Sequence, residues 1–414
     1  MNITSVSATQ IVDTRGKPTI ETTLRAGDLT ATASVPSGKS TGSHEALELR
    51  DPDGGVQTAI SNVEGEIATL LTSRDWNTPD EIDEAMIALD GTPNKSRLGA
   101  NAILSVSIAA QRLFALAEGI PLWKAISARA GLTPGNPRLY LNFMNGGVHA
   151  PTPTSTSHGK GTENTDSKLV WGLPFQEYIL VVEGKTSSAL PIAEEAFEML
   201  GKRLGNVPMG DEGGYAPSFE KLDEPFELLD ELVSEFPGTS IAIDAAATEL
   251  RDGDGYALLG THYTPEELTT IYGSIIDRFP IHSIEDPFAE DSYSDFVRLT
   301  AEIGNRTIVI GDDFTVTNPE RIDEALTEHA INGVLIKPNQ IGTVGEAIKA
   351  VQMTHEAGWA TVCSHRSGET DDTFIADFAY GVGAHGIKAG GLGQKERREK
   401  YMRLLEIEHE AGME

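Results

Sequence analysis

From residue 240 onward the chain repeats one unit, a short apolar run closed by an ionisable residue. The runs are "SIAID" (240–244), "IHSIE" (281–285), "TIVIGD" (307–312), "GVLIK" (333–337), "ATVCSH" (360–365) and "AHGIK" (384–388). They end in Asp244, Glu285, Asp312, Lys337, His365 and Lys388, at intervals of 41, 27, 25, 28 and 23 residues. Most of these intervals fit one strand plus one helix, which predicts an α/β fold with a closed barrel of the (β/α)8 type. Strand C-termini in such a barrel open on one face, so the six side chains are expected to converge there. One charge at a strand end is ordinary loop chemistry; six in consecutive units are not.

The first part of the chain follows another rhythm. "ITSVSATQIV", "PTIETTLRA" and "LTATASV" predict a three-stranded meander, with turns at Asp13–Gly16 and Gly27–Asp28. Apolar residues at helical spacing predict helices over Val56–Leu71, Pro79–Ala88 and Gly99–Ala117. "GLTPGNPRL" (131–139) concentrates Gly, Pro and Asn and marks the boundary. The expected division is an N-terminal α+β domain over 1–133 and a barrel over 134–414 that carries the site.

Charge and cysteine usage narrow the partners. With 63 acidic and 32 basic residues the formal charge is −31, which argues against nucleic acid or anionic lipid. The start lacks the basic and apolar regions of a secretory leader. "ANAILSVSIAAQRLFALAEGI" (100–120), interrupted by Gln111, Arg112 and Glu118, reads as a buried helix and not a membrane span. The single cysteine, Cys363, allows no internal disulfide and fits a cytoplasmic setting.

Asp244, Glu285 and Asp312 offer oxygen-only ligation, the chemistry of a hard divalent cation such as Mg²⁺. The alternative is that each pairs with a lysine or caps a helix. Lys337 follows "GVLI", so burial and a nearby cation are expected to lower its pKa toward that of a general base. A plain salt bridge to the carboxylates is the alternative for it. Lys388 is expected to stay charged and bind an anionic substrate group. "VPMGDEGGYAP" (207–217) puts Asp211 and Glu212 in a glycine-rich turn, and Glu212 is a candidate general acid if its surroundings keep it protonated.

"VPSGKSTGSHEA" (35–46) contains the Gly-Lys-Ser of a phosphate loop. The required first glycine would fall at Ala33, Pro36 interrupts the loop, and a meander strand precedes it, so the nucleotide reading fails. What remains is a loop that brings Ser40 to a metal or a phosphate. In "ATVCSHRSGETDDTF" (360–374), His365, Arg366 and Ser367 form a small basic pocket, and the planar fork of Arg366 suits a phosphate. Its alternative is an ion pair with Asp371 or Asp372.

These segments resemble the enolases nearly end to end. "DTRGKPT", "VPSGKSTGSHEALELRD", "LGANAILSVSIA", "MNGGVHA", "FQEY", "GDEGGYAP", "SIEDPFAED", "GDDFTVTNP", "IKPNQIGT", "SHRSGETDDTFIAD", "GIKAG" and "ERREKYMRLLEIE" occur in the family's order. The resemblance implies a barrel of ββαα(βα)6 topology, its first strands antiparallel to the usual pattern, and reversible dehydration of 2-phosphoglycerate to phosphoenolpyruvate. It implies two Mg²⁺ ions, the first held by Asp244, Glu285 and Asp312, the second by Ser40 with substrate oxygens. Lys337 is implied as the base for the C2 proton, and Glu212, with Glu177 beside it, as the acid for the C3 hydroxyl. His149, Gln176, His365, Arg366, Ser367 and Lys388 are implied around the substrate, where Glu285 and Asp312 also reach. A homodimer or higher homo-oligomer is implied as well.

Three departures stand out. A long polar stretch, "APTPTSTSHGKGTENTDSKLVWGLPFQ", separates His149 from Glu177 and reads as a flexible surface insertion. Gln394 and Lys395 stand where the family usually has Arg-Ser, and "QEY" replaces the commoner "QEF". Two other readings remain: a relative with the same proton abstraction but another substrate, against which "HRSG" and "GDEGG" weigh, and an inactive paralogue, which predicts a missing base, acid or metal ligand.

Overall fold

The computed structural model describes residues 1–39, 41–150 and 172–412. Ser40 and most of the stretch between His149 and Glu177 lie outside the described residues. Strands β1 (Ser5–Val12), β2 (Pro18–Ala26) and β3 (Leu29–Ser34) form the antiparallel meander in chain order. Alternate residues of β2 turn inward: Ile20 and Leu24 are fully buried. The helix Ala100–Glu118 packs on that sheet. It is long and apolar enough to cross a membrane by composition, yet 83% of its apolar window is buried within the fold. The helix Pro79–Asp90 starts where Thr78 accepts the Glu81 amide and stops at Gly91.

The barrel begins just past the Gly/Pro-rich segment. Its first strands are β4 (Arg138–Asn145), β5 (Glu177–Val182) and β6 (Thr239–Asp244). A small antiparallel sheet follows: β7 (Arg251–Asp252), β8 (Gly255–Leu258) and β9 (Thr261–Tyr263). The remaining barrel strands are β10 (Ile281–Glu285), β11 (Ile308–Gly311), β12 (Gly333–Ile336), β13 (Ala360–Ser364) and β14 (Gly386–Lys388). The barrel closes in the order β10-β11-β12-β13-β14-β4-β5-β6.

Two helices, Thr186–Leu204 and Glu224–Glu235, separate β5 from β6, and six strand–helix units follow, giving ββαα(βα)6. Only β5 is reversed. It pairs antiparallel with both β4 and β6, whereas β4 runs parallel to β14. The expected reversal therefore falls on the second strand alone. Tyr140, Ile179, Val181, Ala242, Ile310, Leu335 and Val362 fill the barrel interior, so the barrel is a packed core and not a pore.

The acidic tail of "SGETDD" docks the two parts. Asp372 takes both terminal nitrogens of Arg112 (2.7 Å each) and the Ser34 amide (3.0 Å). Gly368 exchanges two backbone hydrogen bonds with Ser37 (2.9 Å each), and a Cβ at 368 would lie 2.1 Å from the Asp13 carboxylate. The Gly368–Ser37 pair ties the chain just after β3 to the segment that follows residue 365.

At the opposite, N-terminal end of the parallel strands, His282 and His385 face each other with Nε2 atoms 2.9 Å apart. Arg138 lies 3.3 Å from His385 Nδ1. Burial, then the Arg138 charge, push the His385 pKa down to about 4, and burial lowers His282 as well. Unfolded histidine titrates near 6.5, so the unfolded chain takes up protons that the folded chain refuses as pH falls from about 6.5 toward 4. This stabilisation is present above that window and is lost through it. His385→Gln is expected to flatten the fall in urea midpoint between about pH 7 and pH 5. An unchanged pH dependence in the variant would remove the histidine pair from the account.

Candidate active site

The C-terminal ends of the parallel strands deliver the expected side chains into one chamber of about 20 Å³. It is lined by His149, Gln176, Glu177, Glu212, Asp244, Asp312, Lys337, His365, Arg366, Ser367 and Lys388. Glu285 joins them through Lys388. The reversal of β5 explains Glu177: it stands at the start of its strand, paired with Asp244 at the end of β6.

The two lysines organise the carboxylates. Lys388 Nζ lies 3.0 Å from Asp244 Oδ2, 2.8 and 2.9 Å from the Glu285 oxygens, and 3.2 Å from Glu177 Oε2. Burial opposes its charge, but these three carboxylates outweigh burial and hold its pKa well above the usual lysine value. Lys337 Nζ sits 2.5 Å from Asp312 Oδ2. Here the structure corrects the expected lowering. Burial does act downward, but the Asp312 charge overcomes it and the Lys337 pKa is raised. The salt-bridge alternative for Lys337 is the arrangement observed.

Asp312 is itself oriented. Gln340 Nε2 donates to its Oδ1 (2.9 Å), Thr317 donates to Gln340 Oε1 (2.8 Å), and the Lys337 amide donates to Thr317 Oγ1 (2.8 Å). Asp286 accepts the amides of Asp312 and Asp313 (2.9 and 2.7 Å). Among the described residues, the ligand atoms that gather within 4.8 Å are those of His149, Glu177 and Glu212, and of Asp286, Asp312 and Asp313. Asp244 and Glu285 are instead drawn onto Lys388. The donor set still fits a hard cation. Asp244, Glu285, Asp312 and Glu177 are buried oxygen donors facing only two ammonium groups, and burial with the Asp244 charge raises the Glu285 pKa well above its ordinary value.

A second cluster lines the same chamber and meets the first at Glu177. His149 Nδ1 is 3.5 Å from Glu177 Oε1 and 3.4 Å from Glu212 Oε1. Glu212 Oε2 is 3.5 Å from His365 Nε2 and 3.3 Å from Asn142 Nδ2. Burial pushes the Glu212 carboxyl up, but His149, His365 and Arg397 outweigh it and hold Glu212 well below the usual range. Glu177 goes the other way: burial, then the Glu212 charge, raise it to about 7. These surroundings favour the ionised form of Glu212, contrary to the condition set for its acid role. Of the two carboxyls, Glu177 is the one whose protonated form is favoured, and the pair titrates as a unit.

The basic pocket is also built as a network. Arg366 Nη1 and Nη2 meet both oxygens of Glu45 (2.9 and 3.0 Å), and Nη1 reaches Asn339 Oδ1 (3.2 Å). The alternative partners fall elsewhere: Asp372 is held by Arg112, and Asp371 faces Lys395 at 3.8 Å. Ser367 Oγ accepts from Arg15 (3.2 Å). Lys39 spans the mouth to the Val148 carbonyl (2.6 Å) and Asp211 (2.5 Å). Among the described residues, buried polar atoms of His149, Gln176, Asn142 and Asn145 find no hydrogen-bond partner, the mark of a site made for a polar ligand.

Sequence reasoning missed Glu45, Asn142, Gln340 and Arg397. Arg397 alone left a signal: it falls in the stripe Arg397, Lys400, Tyr401, Leu404 and Ile407, which the C-terminal helix Lys395–Gly412 buries. Gln394, singled out as a departure, donates to the Asp211 carbonyl (3.1 Å) and accepts from Arg397. Tyr178, the "QEY" tyrosine, is fully buried among Phe175 and Phe226, and its hydroxyl finds no hydrogen-bond partner among the described residues.

A closed ββαα(βα)6 barrel whose strand ends gather buried carboxylates around two lysines has the architecture of an enzyme with a polar, charged active site. The sequence comparisons specify which. The family models "Enolase, N-terminal domain" and "Enolase, C-terminal TIM barrel domain" match residues 3–126 and 161–414. An enolase of Methanopyrus kandleri is 41% identical over 99% of this chain and 96% of its own length, and one of Thermococcus kodakarensis is 40% identical over 99% and 95%. The chain belongs to the enolase family. Its reaction is the reversible dehydration of 2-phosphoglycerate to phosphoenolpyruvate, a hydro-lyase step of glycolysis.

Proposed function

We propose that the reaction is divided between two residues of the chamber, with Lys337 as base for the C2 proton and Glu212 as acid for the C3 hydroxyl. The observation that carries this reading is that both residues line one chamber with different neighbours: Lys337 beside Asp312, Glu212 beside His149 and His365. A proton next to a carboxylate is weakly acidic because its removal adds charge to a group already negative. Asp244, Glu285 and Asp312 would hold one Mg²⁺ and Ser40 a second with substrate oxygens; bound there, the ions offset that developing charge.

Arg366, Ser367 and Lys388 take the anionic groups of the substrate, with Arg366 exchanging Glu45 for phosphate oxygens. His365 and Gln176 line the same chamber. Glu212 receives its proton from the pair it forms with Glu177. Entry of a three-carbon phosphorylated acid requires the chamber to widen. The division of the chain at 133/134 is supported by the start of β4 at Arg138. A homodimer or higher homo-oligomer and a cytoplasmic setting complete the reading, the latter supported by the one free, buried thiol of Cys363.

Calorimetric titration tests the two-metal part. Mg²⁺ is expected to fill one site per chain alone and a second only when 2-phosphoglycerate is present, with Asp244→Asn weakening the first by about 10–100-fold. Saturation of both sites without substrate would overturn the substrate-assisted second ion.

A further inference from the structure

The C-terminal helix carries a cation that this mechanism does not use. Arg397 is fully buried, and all five of its N–H groups are bonded. Nε donates to Gln394 Oε1 (2.6 Å), and Nη1 to His365 Nδ1 and the Arg366 carbonyl (3.3 Å). Nη2 donates to the carbonyls of Asp211 (3.0 Å) and Ser367 (3.0 Å). Every acceptor is neutral. Among the described residues, no carboxylate forms an ion pair with this guanidinium. Gly390 clears its path: its φ is 87°, and a Cβ there would lie 2.3 Å from Arg397 Cδ. Burying a charge without an ionic partner is costly, so its geometry is informative.

A guanidinium donates and does not accept. His365 Nδ1 must therefore present its lone pair to Arg397, which leaves the ring proton on Nε2, the nitrogen 3.5 Å from Glu212 Oε2. A proton on Nδ1 would set two donors against each other. The other charge near this ring, Glu369, is occupied by Lys400 at 2.8 Å.

We propose that Arg397 is a positioning residue that fixes His365 as the neutral Nε2–H tautomer facing Glu212, and that Gln394 keeps the guanidinium fork in register. The proposal rests on the assignment of Glu212 to the leaving hydroxyl. It gives the helix a role in the chemistry without contact to substrate: one fork ties the 365–367 loop to the Asp211–Glu212 loop and sets which ring nitrogen can donate.

Nitrogen NMR of histidine-labelled full-length protein tests it. In the native chain, His365 is expected to report as the Nε2–H tautomer and to stay neutral from about pH 5.5 to 8. In Arg397→Met the ring is expected to change tautomer or titrate in that range, with kcat lower by about 100-fold and KM moved less than about threefold. Arg397→Lys, which keeps a donor, is expected to recover part of the native spectrum. If Arg397→Met does not fold, Gln394→Ala loosens the same fork from a half-buried position and is expected to give a mixture of tautomers. An Nδ1–H or doubly protonated His365 in the native chain, or a native spectrum in the folded variant, overturns the proposal. The tautomer is read without turnover, so a wrong role for Glu212 would leave it standing and appear instead in the Glu212→Gln assay.

Discussion

Lys337→Ala is expected to stop exchange of the C2 proton of 2-phosphoglycerate with solvent and to lower turnover by about 10⁴-fold. The chamber of described residues offers two buried ammonium groups, and they differ in what surrounds them. Lys388 is enclosed by Asp244, Glu285 and Glu177, and three carboxylates hold its proton firmly. Lys337 has one close partner, Asp312, itself engaged by Gln340 and the proposed first metal. A cation held by Asp312 would offset the charge that raises the Lys337 pKa and would leave burial to lower it, which would make Lys337 the better base. Removing it strips a buried ion pair, so the folded fraction of the variant must be measured alongside exchange. Exchange at the native rate in folded Lys337→Ala would reassign the base.

Glu212→Gln is expected to separate the two halves of the reaction, with dehydration falling by about 10³-fold while C2 exchange persists. Glutamine keeps the shape of the side chain but cannot give a proton to the leaving hydroxyl. The site lowers the Glu212 pKa and raises that of Glu177. The acid role therefore depends on both carboxylates, and Glu177→Gln is expected to impair dehydration as well. Equal loss of exchange in the Lys337 and Glu212 variants would show that the division of roles is wrong.

Much of this site was legible because parallel strands end alike. Asp244, Glu285, Lys337 and Lys388 each close or directly follow an apolar run, so chain spacing alone brought them to one face. Glu177 escaped that logic for a physical reason. It opens the one reversed strand, so its charge precedes the apolar run "YILVV". β4 and β5 were also hidden because strands buried on both faces lack alternation. The pairings could not be read at all. Glu45 lies 321 residues from Arg366, and Arg397 reaches His365 across 32 residues from a helix whose charged sequence suggests a solvated surface. Charge states followed the same rule, since the raised Lys337 and lowered Glu212 depend on partners that only the fold supplies.

The central claim is that these carboxylates, lysines and acids form a working, metal-dependent dehydratase. The most direct measurement follows the ultraviolet absorbance of phosphoenolpyruvate when purified full-length protein meets 2-phosphoglycerate and Mg²⁺, at low and at molar KCl. Absorbance is expected to grow with time, to stop growing on adding EDTA and to resume with excess Mg²⁺. No product at either salt concentration, or product formation indifferent to EDTA, would contradict it.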